Sequence, residues 1–209
     1  MNIIDRLKWR YATKKFDASR VLSEDQIDVI KQAFNLTATS FGLQTLRLIV
    51  LKNKVIREKL VAHAYYQKQV VDASHLLVIC IQNNITSTDV DTHFKNVQTI
   101  RETPESVLEP FKNDLKSMMA SKSLTEREDW STKQAYIALG NLMTVCAAEH
   151  IDACPMEGFN PAAFDDVLNL KDKNLKSVLL LPVGFRAEDD KFAGFKKVRK
   201  QLSDAVIEM

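Results

Sequence analysis

Three short apolar runs rich in branched residues, set among roughly six helical patterns, predict one domain that combines α-helices with a small β-sheet. The runs are Leu46–Leu51, Leu76–Ile81 and Ser177–Phe185, each of strand length. No internal repeat or low-complexity linker divides the 209 residues, which suffice for one substantial core and are too few for three.

Taken in order, Asn2 can cap a short amphipathic helix carrying Ile3, Ile4 and Leu7. Ser23-Glu24-Asp25-Gln26 reads as a capping box: the hydroxyl accepts a first-turn N–H and the glutamine reaches back to the cap. The helix beyond it sets Ile27, Ile30, Ala33 and Phe34 on one face. After the first strand comes a helical stretch around Val55 to Ala62, then the second strand. From Thr86 to about Ser123 the chain is polar and helical, interrupted by Pro104 and Pro110; lacking a regular apolar stripe, it reads as a peripheral excursion.

Thr125-Glu126-Arg127-Glu128 reads as another capping box, opening the longest helix, Asp129 to about His150. Its portion from Ala135 to Ala148 is apolar nearly all round, with Gly140 and Ala147-Ala148 as close-approach surface. Such a helix is buried on more than one side, and a subunit interface is a natural place for it. Asn160-Pro161 fits an N-cap followed by proline at the first helical position. The third strand leads into a charged tail from Ala187 onward.

Composition removes several classes. Lys plus Arg is 29 against Asp plus Glu 27, a net +2, so no general electrostatic attraction to nucleic acid or an anionic membrane is expected. Apolar runs such as Val178–Val183 fall far short of the ~20 residues of a membrane span. Met1 passes straight into Asn2-Ile3-Ile4-Asp5-Arg6, without the signature of a secretory leader. Cys80, Cys146 and Cys154 show no CxxC spacing, which suggests neither a disulfide framework nor zinc and fits a reduced, cytoplasmic setting. His63, His75, His93 and His150 lack metal-ligand spacing, so no metal is expected. His75, beside a strand, reads as a satisfied core or strand-end histidine. With five glycines and neither GxGxxG nor GxxxxGK[ST], a glycine-cradled dinucleotide is not expected.

Three segments could carry chemistry. Arg10-Tyr11-Ala12-Thr13-Lys14-Lys15-Phe16-Asp17 gathers three cations and two hydroxyls after the first helix. It is either a charged helix end favoured by the dipole or a clamp for a phosphate and ring. Phe195-Lys196-Lys197-Val198-Arg199-Lys200 is a solvated tail or a basic segment lying down on a ligand or partner. Cys154-Pro155-Met156-Glu157-Gly158-Phe159 is a plain loop or one that aims backbone N–H groups at a flat ligand, the glycine permitting the necessary angle. Gln67 and Gln69, before Asp72-Ala73-Ser74-His75, are ligand contacts or helix surface.

Together with Ala38-Thr39-Ser40-Phe41-Gly42-Leu43-Gln44, these motifs occur in the order and approximate spacing of the FMN-dependent nitroreductase family. The chain resembles its oxygen-insensitive NAD(P)H nitroreductase and dihydropteridine reductase branch from Ile3 to about Lys200. The resemblance implies an α+β subunit of three layers, with a mixed, mostly antiparallel sheet between helices, in an intertwined homodimer. One FMN-binding domain spans 1–209, the excursion of about 86–123 shapes the acceptor pocket, and the tail of about 187–209 wraps the partner.

By position, Arg10, Lys197 and Arg199 are implied at the FMN phosphate and ring, with Tyr11, Ala12 and Thr13 beside them. Lys14 is implied at the flavin N1 and O2 edge, and Thr39, Ser40 and Gly42 come from the partner subunit. Pro155, Met156, Glu157 and Gly158 cover one flavin face, the Glu157 N–H meeting N5, while Gln67, Gln69 and Gln134 lie near the ring. The implied activity takes hydride from NADH or NADPH and passes it to nitroaromatics, quinones or similar flat acceptors, with Lys14 and Glu157 as the catalytic pair. Tyr11-Ala12 replaces the His-Ser or Arg-Ser-Val frequent in such sequences, and Gln44-Thr45-Leu46 replaces Gln-Pro-Trp. A flavin-storing or flavin-sensing protein is the alternative within the same fold, and a basic-tailed interaction module lies outside it.

Overall fold

The computed structural model describes residues 2–209 and shows an antiparallel sheet covered on both faces. The helix α1 (Ile3–Trp9) is capped by the Asn2 side chain at the Ile4 N–H, 2.9 Å. Helix α2 (Glu24–Asn35) starts on the reciprocal Ser23–Gln26 capping box. Strand β1 (Leu46–Leu51), α3 (Lys54–Val61), the single turn α4 (Gln69–Asp72) and β2 (His75–Gln82) follow. Next come α5 (Ser87–Arg101), α6 (Glu105–Ser121), α7 (Leu124–Ala148), β3 (Asp152–Ala153), α8 (Pro161–Val167), β4 (Leu175–Gly184) and α9 (Leu202–Ala205).

The sheet order is β1-β2-β4-β3, all antiparallel; the sole parallel pairing among the described residues is an isolated Ala12–Ala153 bridge. Strand period sorts the apolar side chains by face. Leu76, Val78, Cys80 and Leu180 join α3, α4 and α8 in one core, where Phe159 meets Phe164 edge-on at 4.8 Å. Leu77, Ile79, Ile81, Leu179, Leu181 and Val183 join Ile27 and Ile30 of α2 and Ala135, Ala138 and Leu142 of α7 in the other. Gly184 ends β4 because nothing larger fits. A Cβ there would lie 2.8 Å from the Ser74 backbone nitrogen. Gly184→Ala therefore forces backbone to move and is expected to destabilise by about 1–3 kcal/mol, measured as a shift of the urea midpoint at unchanged slope.

Three expectations need correction. The long helix opens at Leu124, capped reciprocally by Ser123 and Glu126, two residues before the expected box at Thr125 and Glu128. Pro110 does not interrupt a helix; it lies inside α6, and only Pro104 stands at a boundary. Proline removes one backbone bond, here to Ser106, and both residues are exposed, so water replaces the lost donor. The excursion also has an apolar stripe: Val90, Phe94, Leu115 and Met119 close over Leu43 as a third, smaller core.

Candidate functional site

Arg10 stops α1 by turning extended, and the residues after it become a stitched strand-like segment. Thr13 N–H donates to the Ala153 carbonyl at 3.3 Å, Asp17 N–H to Phe185 at 2.8 Å, and Ala187 N–H to Lys15 at 2.9 Å. Segment 10–17 is thus fixed between β3 and the chain beyond β4, and is no loose helix end. Ala12 lies on the parallel bridge and Thr13 is fully buried, its hydroxyl without a partner.

Asp190, which no sequence pattern marked, organises this segment. Its carboxylate accepts from the Tyr11 hydroxyl at 2.7 Å and from the N–H groups of Lys14, Lys15 and Phe192 at 2.9, 3.2 and 3.1 Å. Burial pushes its pKa up, but these donors outweigh burial and hold it below the ordinary value. A lowered folded pKa contributes stability that is full above the unfolded value, about 3.9, and is lost as pH falls through the folded pKa. Asp190→Asn should consequently unfold more easily than the wild type above about pH 4, with the gap closing on further acidification. Circular dichroism melts across that window measure it.

Tyr11 has its hydroxyl committed to Asp190 and its ring against the Arg186 guanidinium, 4.6 Å away. The Trp9 ring takes another side of Arg186 at 4.4 Å, and Arg186 Nε donates to Asp152 at 2.7 Å. Segment 10–17 leaves the exposed Lys14 and the half-buried Arg10 without a carboxylate partner, whereas the exposed Lys15 is paired with Asp189. The tail returns here: the Lys197 ammonium donates to the Arg10 carbonyl. Burial and then the Arg199 charge lower the pKa of Arg10, while Lys197 is lowered by burial and then by Arg10 and Arg199. None of Arg10, Lys14, Lys197 and Arg199 enters an ion pair among the described residues. Like charges are held together without a counter-charge, which suits a group such as phosphate.

The loop after β3 borders these cations. Burial raises the Cys154 pKa, and the charges of Lys14 and Arg10 next oppose that rise. Met156 exchanges two backbone bonds with Leu180, at 2.9 and 3.0 Å, and its side chain is buried in the core. Glu157 and Gly158 then leave the sheet edge, and neither N–H has an acceptor among the described residues. The Glu157 carboxylate accepts from the Tyr136 hydroxyl at 2.6 Å, and the Gly158 carbonyl from Gln67 Nε2 at 2.8 Å. Pro155 is half-buried beside Met156, and Gln69 is buried in α4.

Thr39, Ser40, Gly42 and Gln134 form a separate group. Ser40 N–H donates to Gln134 Oε1 at 2.9 Å, and the Thr39 hydroxyl is buried without a partner. The turn is strained: Phe41 at φ 58° and Gln44 at φ 47° are left-handed, flanking Gly42 at φ 70°. Phe41 stacks on Trp130, centroids 6.4 Å apart. Gln134 is 14 residues before the end of α7, about 21 Å at 1.5 Å per residue. Just past that end, His150 meets the ring of Trp9, neighbour of Arg10, at 5.1 Å. Within one chain Gln134, near the middle of α7, therefore stands well away along the helix from the end that packs beside Arg10.

Among the described residues no His, Cys, Asp and Glu cluster could hold a metal ion, and no helix is long and apolar enough to cross a membrane. Sequence reasoning missed Asp190, Tyr136 and the Asp152–Arg186 pair, whose partners are distant in the chain.

The architecture is that of an α+β protein in which an unpaired cation group lies beside a loop with free backbone N–H groups. A family model described as "Nitroreductase family" matches residues 7–185. A provisionally named NAD(P)H nitroreductase of Staphylococcus epidermidis is 32% identical over 214 residues, 98% of this chain and 95% of that protein. Its counterpart in Staphylococcus saprophyticus is 34% identical, with the same coverage. Among solved structures, a provisionally named Bacillus subtilis nitroreductase superposes with a TM-score of 0.88 at 18% identity, covering 99% of this chain and 98% of that one. One from Exiguobacterium sibiricum, in complex with FMN, gives 0.84 at 17% identity over 100% and 98%. The chain belongs to the nitroreductase family.

Proposed function

We propose that the whole chain acts as one FMN-binding unit of a homodimer and transfers hydride from NADH or NADPH to nitroaromatics, quinones or similar flat acceptors. The observation that carries this reading is the cation group Arg10, Lys197 and Arg199, crowded without a carboxylate partner. The names of the relatives and the FMN-bound neighbour support it.

The residues present fit the cofactor. Arg10 and Arg199 would take the phosphate by charge-assisted bonds, with Lys197 held between them. Lys14, exposed and unpaired, would lie at the N1 and O2 edge, where its charge favours the reduced state. The free Glu157 and Gly158 N–H groups would face the ring, with Pro155 and Met156 supporting them. Gln67 and Gln69 would approach from the segment before β2, and Tyr11, Ala12 and Thr13 chiefly form the wall. Thr39, Ser40, Gly42 and Gln134 would come from the partner subunit, and the tail of 187–209 would wrap that partner.

Bound FMN supplies reversible two-electron chemistry. What the protein supplies is a flat slot that stacks donor and acceptor in turn, so proximity does the work and no acid–base pair is required. Steady oxidation of NADH or NADPH with menadione or nitrofurazone, with parallel double-reciprocal lines, is the expected result. FMN-loaded protein that turns over neither acceptor would overturn the enzymatic reading in favour of flavin storage or sensing.

A further inference from the structure

The loop at Glu157 and Gly158 is held by two side chains that a ligand slot alone does not explain. Tyr136 projects from the outer side of the 25-residue helix α7, and its hydroxyl meets the Glu157 carboxylate at 2.6 Å. Gln67 reaches the Gly158 carbonyl at 2.8 Å, and a side chain at 158 would press on the Gln67 amide at 3.1 Å.

Gln67 is delivered by an unusual backbone. Tyr65 and Tyr66 are consecutive left-handed residues, at φ 52° and 59°, and neither is glycine. Such conformations cost of order 1 kcal/mol or more each and persist only where surrounding structure enforces them. Here the Tyr66 N–H donates to Val61 at 3.0 Å and the Gln67 N–H to Ala64 at 3.0 Å. The strain turns the chain so that Gln67 faces the loop.

Both bonds engage groups other than the N–H donors of Glu157 and Gly158. An exposed glutamate on an untethered loop could fold its carboxylate over nearby amides, as Asp190 does at Lys14 and Lys15. The Tyr136 bond holds the carboxylate elsewhere, and that same bond is the first cause of the raised Tyr136 pKa, so the hydroxyl remains a donor.

We propose that Tyr136 and Gln67 are positioning residues that keep the Glu157 and Gly158 N–H groups free for the flavin ring, and that the Glu157 carboxylate is their tether instead of a proton carrier. This rests on the FMN reading above. A backbone donor at N5 favours the oxidised state, in which N5 is a hydrogen-bond acceptor.

The test is the FMN dissociation constant together with the two-electron midpoint potential, for wild type, Tyr136→Phe, Gln67→Leu and Glu157→Gln. Tyr136→Phe and Gln67→Leu are expected to weaken oxidised FMN about fivefold while leaving reduced FMN nearly unchanged. At ~30 mV per decade for two electrons, the potential then rises about 20 mV. A merely structural loss would weaken both states alike and leave the potential where it was. Glu157→Gln keeps an oxygen for the hydroxyl and should bind oxidised FMN more tightly than Tyr136→Phe does, whatever the lost charge does to the potential. Tyr136→Phe or Gln67→Leu at the wild-type potential would overturn the proposal, as would Glu157→Gln binding oxidised FMN as weakly as Tyr136→Phe. Wild-type protein that takes up no FMN would instead refute the functional reading on which it stands.

Discussion

Arg10→Ala and Arg199→Ala are each expected to weaken FMN binding by about 10- to 100-fold, the 1.5–3 kcal/mol typical of a hydrogen bond to a charged group. The double variant should purify without bound cofactor. Arg10 and Arg199 lie close enough for one charge to depress the other's pKa, with Lys197 donating to the Arg10 carbonyl between them. An anion is thus what the arrangement lacks, and removing the cations removes the reason for a phosphate to settle. Removing mutual repulsion should also leave the apoprotein at least as stable as wild type, which distinguishes lost affinity from lost folding. Fluorescence titration with FMN, beside a melt of each apoprotein, measures both. Wild-type affinity in both single variants would refute the phosphate clamp.

Ile137→Glu is expected to dissociate the proposed homodimer and, with it, to lose FMN in the same step. The inner side of α7 is spent on the core through Ala135, Ala138 and Leu142, yet Ile137 is 50% exposed and Tyr136 46%. Gly140 has nothing within 4 Å of where a Cβ would stand. Beside this helix, Ile3, Ile4 and Leu7 of α1 leave their apolar side chains exposed, although the helix has an amphipathic sequence. A second copy covering these positions would account for all of them. Glutamate at 137 would then bury an unpaired charge, a penalty of several kcal/mol, enough for a loss of about a thousandfold or more in dimer affinity. The Ser40 and Gln134 group could no longer reach the cations of the other chain. Sedimentation equilibrium and the flavin-to-protein ratio report the two losses. A variant that becomes monomeric and keeps its FMN would show that one chain suffices.

What the sequence displayed well was local. The Ser23–Gln26 box, the Asn160-Pro161 start and the three strands are written in adjacent residues, and the structure contains them. The start of α7 was ambiguous because Ser123–Glu126 and Thr125–Glu128 have the same local pattern. The nearness of the α6 end at Ser121 decides for Ser123. Strand β3 escaped notice because two residues show no period, and its pairing with β4 is a long-range choice. The apolar stripe of the excursion is split between two helices, so neither half looked like a core.

The site was legible in outline only. Its cations come from opposite ends of the chain, and only the family resemblance joined Arg10 to Lys197 and Arg199. Asp190 looked like one more acid in a charged tail, since its four donors lie within that tail and at Tyr11 to Lys15. Tyr136 was read as one position on a generally apolar helix, and its bond to Glu157 spans 21 residues. Chemistry assembled from distant segments leaves little trace in composition or spacing.

The most direct measurement of the central claim is an absorption spectrum of the purified protein, before and after anaerobic addition of NADH or NADPH. Flavin bands near ~370 and ~450 nm that bleach on addition are the predicted result, since a nicotinamide-reducible FMN requires both. A protein that stays colourless after incubation with FMN, or one whose bands persist with both nucleotides, would contradict it.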